Sequence, residues 1–189
     1  MAPLVTRILL IVCLLPLLSS PLQANEAMTQ LSVASPLLPE AGSSTYGQAA
    51  VSRVVVIKSL RLMQLKSGEE VIRSYRISLG DNPEGHKLFE GDQRTPEGLY
   101  VLDWRNPGSD FYKSIHISYP NEHDAEMARI WGQDPGGNIM IHGLPNSVGD
   151  MAFAYEGLDW TDGCIAVNNE AMDEIWKMVP DGTLIEIRP

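Results

Sequence analysis

Alternation of apolar and polar residues dominates the chain from about residue 51 onward. β-Branched or alternating runs predict strands, and they cover residues 53–57, 60–65, 71–79, 99–104, 114–119 and 183–187. The turn-forming stretch 66–69 joins the second and third runs and predicts a hairpin with one buried face. Short strands at close intervals, without alternating helices, predict a mainly β domain, either a sandwich or a barrel-like sheet.

Helical spacing is confined to two short stretches. Residues 125–131 form a weak helical pattern, for which Asn121 or Asp124 is a possible N-cap. A stronger pattern follows Asn168 and Asn169, either of which can cap it, and it ends at the Pro-Asp-Gly turn of residues 180–182. Its apolar face comprises Met172, Ile175, Trp176 and Val179. The predicted β domain therefore carries one or two short helices.

A continuous apolar run precedes the predicted domain. Residues 8–18 follow Arg7 and are too few for a membrane span, which predicts a signal peptide over residues 1–24 that is cleaved after Ala24. An uncleaved N-terminal anchor is the alternative. Residues 25–50 are rich in Ser, Ala, Pro and Gly and predict a flexible linker, so that residues 51–189 form the folded domain. We therefore expect export to the periplasm and no membrane span after cleavage.

Charge and cysteine content narrow the possible functions. The chain has 24 acidic and 14 basic residues and a formal net charge of −10. Nucleic acids and anionic membranes attract basic surfaces, so neither is expected as a partner. Of the two cysteines, Cys13 lies in the predicted signal peptide, which leaves Cys164 unpaired in the mature chain. An unpaired thiol is unusual in an exported protein and favours a nucleophile over an inert buried cysteine.

His142 is the candidate partner of Cys164. The two residues lie on short predicted strands, 138–142 and 164–167, that can pack side by side. A thiolate attacks an amide carbonyl, and an adjacent imidazolium is expected to lower the thiol pKa. Backbone N–H groups at Gly163 and Cys164 can then stabilise the oxyanion. This arrangement predicts acyl transfer through a thioester.

The sequence does not contain the motifs of the other common catalytic chemistries. The chain contains neither His-Glu-x-x-His nor Cys-x-x-Cys, so no metal site is predicted. It also lacks Gly-x-Ser-x-Gly and Ser-x-x-Lys, the serine-nucleophile signatures. No glycine-rich phosphate loop precedes a helix, and we expect no cofactor.

Two motifs carry a resemblance to a known family. His142-Gly143 with Thr161-Asp162-Gly163-Cys164-Ile165 resembles the active-site signature of L,D-transpeptidases of the YkuD family. Gly91-Asp92 with the Thr95–Tyr100 segment Thr-Pro-Glu-Gly-Leu-Tyr is similar to a second family motif. The resemblance covers roughly residues 51–189 and implies a β-rich catalytic domain that acts on peptidoglycan stem tetrapeptides. It implies loss of the terminal D-alanine and 3→3 cross-linking, or transfer to another amine. The implied roles are nucleophile for Cys164, general base for His142 and oxyanion hole for Gly163.

The chain departs from the family pattern around this signature. Asp162 replaces a frequent histidine, and we expect it to orient His142, contact the substrate amine or cap a turn. The segment 146–159 is long and predicts a lid. The candidate substrate-binding residues are Asp162, Thr161, Trp160, Tyr119 and His116, with packing or structural roles as their alternatives.

Two alternative functions stay open at the level of the sequence. One is a peptidoglycan hydrolase, a carboxypeptidase or an amidase, on the same scaffold. The other is a non-catalytic cell-wall-binding module. The transpeptidase, the hydrolase and the binding module would all act in cell-wall biogenesis or degradation and in cell shape. The sequence does not indicate a protein partner for any of them.

Overall fold

A computed structural model of the chain describes residues 50–189. The predicted signal peptide and nearly all of the predicted linker lie outside the described residues. Eight strands are present: β1 Arg53–Ile57, β2 Leu62–Ser67, β3 Glu70–Arg76, β4 Gly98–Asn106, β5 Ser114–Ile117, β6 Met140–His142, β7 Ile165–Ala166 and β8 Thr183–Arg188. The two α-helices are α1 Glu122–Ile130 and α2 Asn169–Met178, and Lys58–Leu60 and Gly149–Tyr155 form 3₁₀ helices.

The strands form one curled sheet in the order β3-β2-β1-β8-β4-β5-β6-β7. The β1–β8 and β6–β7 pairs are parallel, and the other neighbouring pairs are antiparallel. Beyond β3 the chain returns to the opposite edge, where Ser78 bridges Ala166 and Gly80 bridges Thr161. The two edges of the sheet thereby approach each other, which confirms the mainly β, barrel-like prediction and its two short helices.

The core lies inside this curled sheet and under α2. The alternating pattern of β8 buries Thr183, Ile185 and Ile187 and leaves the residues between them more exposed. Met172 and Ile175 of α2 are fully buried against the same core. Each such side chain stabilises the fold by about 1.5–3 kcal/mol relative to exposure. The two shortest strands, β6 and β7, lie at one end of this sheet.

Capping residues set the starts of both helices. The Asn121 side chain accepts from the Asp124 N–H and the Asp124 carboxylate accepts from the Asn121 N–H, so α1 begins at Glu122, earlier than the apolar pattern indicated. Asn168 accepts from the Ala171 N–H at the start of α2. Between residues 50 and 189, neither helix is long and apolar enough to cross a membrane.

Candidate active site

Cys164 and His142 lie on neighbouring segments at the sheet edge. The parallel β6–β7 register pairs Ile141 with Ile165 and His142 with Ala166, and Cys164 directly precedes β7. Both side chains line one open cleft of about 320 Å³. The remaining lining residues are Asn106, Ser109, Asp110, Phe111, Ser114, Asn138, Met140, Trp160, Thr161 and Asp162. The structure therefore brings the predicted thiol and imidazole into a shared cavity.

His142 is buried and held in one tautomer. Its side chain packs against the Phe111 ring at a centroid distance of 4.6 Å, and the residue is 4% exposed. The Nδ1 atom lies 2.7 Å from the Gly143 carbonyl oxygen, which can only accept, so Nδ1 carries the proton. Burial lowers the pKa of His142, against an opposing effect of this hydrogen bond. The neutral ring therefore has an unprotonated Nε2 that can act as a base.

The Cys164 thiol bonds to the backbone of the strand beside it. The Met140 N–H donates to Sγ at 3.4 Å, and the thiol donates to the Asn138 carbonyl at 3.7 Å. Burial raises the pKa of Cys164, and the Asp162 carboxylate raises it further. No hydrogen bond within residues 50–189 joins the thiol to His142. The expectation that an imidazolium lowers the thiol pKa is therefore wrong here, because burial favours the neutral forms of both groups.

A tight turn positions the nucleophile. The Thr161 hydroxyl donates to the Cys164 carbonyl at 2.8 Å and accepts from the Gly163 N–H at 3.2 Å. Both hydrogen-bonding capacities of Thr161 are thus used inside the turn, although its side chain lines the cleft. Because the Gly163 N–H is engaged, the free donor at the turn is the Cys164 N–H, which has no partner among the described residues.

The loop of residues 87–95 lies directly beneath this turn. A Cβ on Gly163 would lie 2.5 Å from the Arg94 carbonyl oxygen, and the backbone φ of Gly163 is +123°. The buried Asp92 carboxylate organises the loop by accepting from the N–H groups of Leu88, Phe89 and Arg94 and from the Lys87 ammonium. The second sequence motif therefore supports the turn that carries Cys164.

Trp160 and Asp162 both border the cleft. The Trp160 ring meets the His142 ring edge-on at 5.6 Å, and its Nε1 is buried without a hydrogen-bond partner in the described chain. Asp162 is exposed at the cleft rim and makes no side-chain hydrogen bond to a described residue. Since Gly143 fixes the His142 tautomer, Asp162 does not orient the imidazole through Nδ1. Its expected contact with a substrate amine stays a prediction.

Tyr119 and His116 lie away from the cleft lining. Tyr119 is 3% exposed, donates to the Pro135 carbonyl at 3.0 Å and packs against Tyr100 in the core. Burial raises its pKa well above the usual range. His116 bonds the Asp103 carboxylate at 2.7 Å and stacks on Trp104. Their positions correspond to the structural alternatives rather than to a place in the substrate groove.

The predicted lid is a loop that is attached at both ends. Asn146 bonds the backbone of residues 109–112, and Asp159 accepts from Arg61 and from the Leu79 N–H. Between these anchors, the 3₁₀ helix Gly149–Tyr155 exposes Phe153. Tyr155 contacts Trp160 at a centroid distance of 4.9 Å. The lid segment is thus coupled to a wall of the cleft.

Phe111 and Asn138 belong to the site but carried no recognisable sequence signal. Phe111 comes from the β4–β5 loop and reaches His142 only because that loop folds back onto β6. Asn138 supplies the carbonyl that the thiol contacts, from a backbone with φ of +55°. Across residues 50–189, no group of three or more His, Cys, Asp or Glu side chains is arranged to hold a metal ion.

The curled sheet and its cysteine–histidine cleft define the class of protein as an L,D-transpeptidase catalytic domain. Residues 52–187 match the family model of the YkuD L,D-transpeptidase catalytic domain, and the chain belongs to this family.

Known relatives match the same region. YafK of Escherichia coli (strain K12), provisionally named an L,D-transpeptidase, is 33% identical over 143 residues. The match covers 72% of this chain and 50% of YafK, so the chain spans about half the length of the curated relatives it matches. The YafK protein of Escherichia coli O157:H7 matches equally. Among solved structures, the helical cell shape determining protein Pgp2 from Campylobacter jejuni is 28% identical with a TM-score of 0.56, and the match covers 72% of this chain and 47% of Pgp2.

Proposed function

We propose that this chain is a cysteine L,D-transpeptidase that acts on peptidoglycan stem tetrapeptides through a thioester acyl-enzyme. The observation that carries the proposal is the shared cleft, in which Cys164 lies beside a neutral His142 whose Nε2 is unprotonated. The predicted roles of these two residues are nucleophile and general base. Membership of the YkuD family supports the reaction class.

The acylation step begins with rotation of the thiol away from the Asn138 carbonyl. His142 Nε2 takes the proton from Sγ as Sγ bonds to the carbonyl carbon of the scissile amide. The Cys164 N–H stabilises the resulting oxyanion, with the Gly163 N–H left in its bond to Thr161. His142 then returns the proton to the leaving nitrogen, and the C–N bond breaks. D-Alanine departs, and the acyl group stays on Sγ as a thioester.

In deacylation, an acceptor amine is the second nucleophile, and His142 passes a proton from this amine back to Sγ. An acceptor amine attacks the thioester carbonyl, His142 removes its proton, and the C–S bond breaks with return of the proton to Sγ. Asp162 at the rim presents a negative charge that attracts a cationic amine. Transfer to the side-chain amine of a neighbouring diamino acid forms a 3→3 cross-link, and the same chemistry serves another amine acceptor.

The cellular setting forms part of the proposal. We place the enzyme in the periplasm, after removal of residues 1–24 and behind the linker of residues 25–50, with residues 51–189 as the catalytic domain. The similarity to Pgp2, which is named for determining helical cell shape, supports a role in remodelling the wall that maintains shape. Mass analysis of the protein from a periplasmic extract tests the assignment, since the proposed mature chain begins at Asn25.

Muropeptide product analysis tests the reaction. Purified protein is incubated with disaccharide tetrapeptides, and D-alanine and cross-linked dimers are quantified beside Cys164→Ala and His142→Ala. We expect both products from the unmodified chain and neither from Cys164→Ala. Retained activity in Cys164→Ala would contradict the mechanism. D-Alanine release without dimers, despite abundant acceptor, would indicate a hydrolase on this scaffold.

A further inference from the structure

We propose that Trp104 and Asp103, on the outer face of the sheet beside the cysteine cleft, bind a sugar ring of the peptidoglycan glycan strand. This inference rests on the proposed function, because it names the part of the substrate to which the stem peptide is attached. The site lies on β4 and β5. Neither side chain takes part in the proposed acyl transfer.

A β-bulge places both side chains against His116. The β4–β5 register shifts between Leu102 and Arg105. As a result, Asp103 and Trp104 both lie opposite His116, the single residue of β5 at that level. A bulge of this kind re-aims a side chain that would otherwise alternate to the other face, and bulges are frequent next to active sites.

Trp104 forms an exposed ring that is supported on one face. Its indole stacks on the His116 imidazole at a centroid distance of 4.8 Å and an interplanar angle of 16°. The Asp103 carboxylate in turn fixes His116, because its Oδ1 accepts from Nδ1 at 2.7 Å. Trp104 is nevertheless 43% exposed, and no second aromatic ring stacks on it within residues 50–189. The indole face that is turned away from His116 is therefore available to a ligand.

This ring lies in one row with the nucleophile. Cys164 lies one residue before the β6–β7 pairing, level with Met140, whose N–H donates to Sγ at 3.4 Å. Met140 pairs with His116, which lies opposite Trp104. Cross-strand neighbours of this kind share one face of a sheet. Three strand spacings of about 4.7–4.9 Å place Trp104 about 14 Å from Cys164 along the row.

The length of this row matches the substrate. In a muropeptide, three residues and a lactyl ether join the sugar to the carbonyl group that Cys164 attacks in the proposed reaction. Three extended residues and a lactyl group of about the size of a fourth reach about 13–14 Å. A stem peptide that runs along the row therefore brings its sugar to Trp104.

A pyranose ring suits the chemistry of this pair of side chains. Its C–H groups form an apolar face that can pack on an indole, and its hydroxyls can donate to a carboxylate. The Asp103 side chain is 40% exposed, and its Oδ2 accepts no hydrogen bond within residues 50–189. The negative charge disfavours an anionic ligand. The ligand class is thus a neutral, N-acetylated hexosamine.

A tetrapeptide that carries its disaccharide and the same tetrapeptide without sugar test the site. Their Kd for the Cys164→Ala protein is measured by calorimetry, and their KM for D-alanine release is measured with the active enzyme. We expect about five- to tenfold tighter binding of the disaccharide peptide, the scale of one well-packed aromatic contact. Trp104→Ala should remove this difference and leave the Kd of the sugar-free peptide unchanged. Trp104→Tyr keeps an aromatic ring and should retain most of the difference.

Trp131→Ala is the matched control, because Trp131 is 54% exposed but follows α1, outside the row. It should leave the preference for the disaccharide peptide intact. Equal binding of the two peptides by the Cys164→Ala protein, or a preference that survives Trp104→Ala, would overturn the proposal. An equal loss of affinity for both peptides in Trp104→Ala would also overturn it, since the ring would then contact the peptide or one of its amines.

The sugar site and the proposed reaction fail in different ways. A preference in Kd without any D-alanine release would keep the site and refute the reaction. Release of D-alanine without a preference would refute the site and keep the reaction. Asp103→Asn should weaken the disaccharide peptide alone, by about two- to threefold, because an amide oxygen accepts more weakly than a carboxylate.

Discussion

The carbonyl oxygen of Arg94 lies against Gly163, only 2.5 Å from where a Cβ on that glycine would be. The loop that carries Arg94 and the turn that carries Cys164 are therefore in direct backbone contact. Gly80 lies in the same contact, against the carbonyl of Gln93 and the nitrogen of Gly163. The position of the thiol therefore depends on close packing between two backbone segments. Any residue larger than glycine at position 163 would prevent that packing.

Gly163→Ala is expected to destabilise the fold by about 3 kcal/mol or more, since it combines a positive φ with a clash against the Arg94 carbonyl. Gly182→Ala is the matched control, because Gly182 has φ of +85° but open space around the added methyl group. It should lose only about 1–2 kcal/mol, the cost of the backbone conformation. Chemical denaturation measures both, and equal losses would show that the Arg94 contact is unimportant.

Asp92→Asn should destabilise the chain and impair catalysis together. The carboxylate is buried, and although desolvation opposes ionisation, its hydrogen bonds from Leu88, Lys87 and Arg94 keep its pKa below the usual range. The substitution leaves the buried Lys87 ammonium without its counterion, which costs about 3–5 kcal/mol. Denaturation and D-alanine release at a permissive temperature measure the two effects.

Glu69→Gln is the control for this prediction, because Glu69 forms an exposed ion pair with Lys66. It should change neither stability nor activity appreciably. If Asp92→Asn left stability and activity as unchanged as Glu69→Gln does, the loop of residues 87–95 would not support the turn that carries Cys164.

The alternating pattern predicted the sheet well because one face of most strands packs on a single core. It located β1 at its observed bounds, and the capping residues Asn121 and Asn168 were among those named for the two helices. The pattern could not predict that residues beyond β3 return to β7. That closure depends on isolated bridges at Ser78 and Gly80. The alternation through residues 71–79 continues past Arg76, the last residue of β3, and so does not show where the chain leaves that strand.

The sequence predicted those parts of the site in which a particular side chain does the chemistry. It could not predict those parts in which a backbone group makes the contact. A thiol and an imidazole are recognisable in sequence, and both line the cleft. The carbonyls of Gly143 and Asn138 that hold them could belong to any residue. Tyr119 was a candidate for the core and for the substrate groove, because the two kinds of tyrosine look alike in sequence until the hydroxyl partner is known.

Tyr119→Phe should lower the free energy of unfolding by about 1 kcal/mol through loss of the hydrogen bond to the Pro135 carbonyl. The KM and kcat for tetrapeptide should stay unchanged, because the side chain packs in the core. Trp160→Phe, at the cleft wall, should instead raise KM. A KM effect of Tyr119→Phe with full stability would restore the residue to the substrate groove.

Asp162→Asn should make Cys164 more reactive. The carboxylate raises the pKa of the thiol, after the larger effect of burial, so its removal increases the thiolate fraction at a given pH. Because Asp162 is exposed, the expected gain in iodoacetamide alkylation near pH 7 is only about two- to threefold. The gain should shrink in about 1 M salt, where charges are screened.

Asp150→Asn, on the exposed 3₁₀ helix, is the charge control for this measurement and should leave the alkylation rate unchanged. A rate unaffected by Asp162→Asn, or raised equally by Asp150→Asn, would contradict a local effect of Asp162 on the thiol.

His142 should make the fold less stable in acid. Burial lowers its pKa in the folded chain, so below the ordinary value of about 6.5 the unfolded chain binds a proton that the folded chain does not. Stability contributed by the neutral imidazole is therefore present above that pH and is lost as the pH falls toward the folded-state pKa, by about 1.4 kcal/mol per pH unit. Urea denaturation of the unmodified chain and of His142→Gln between pH 8 and pH 5 measures the difference. The two free-energy curves should converge as the pH falls, and parallel curves would mean that the folded chain accepts the proton on His142 as readily as the unfolded chain does.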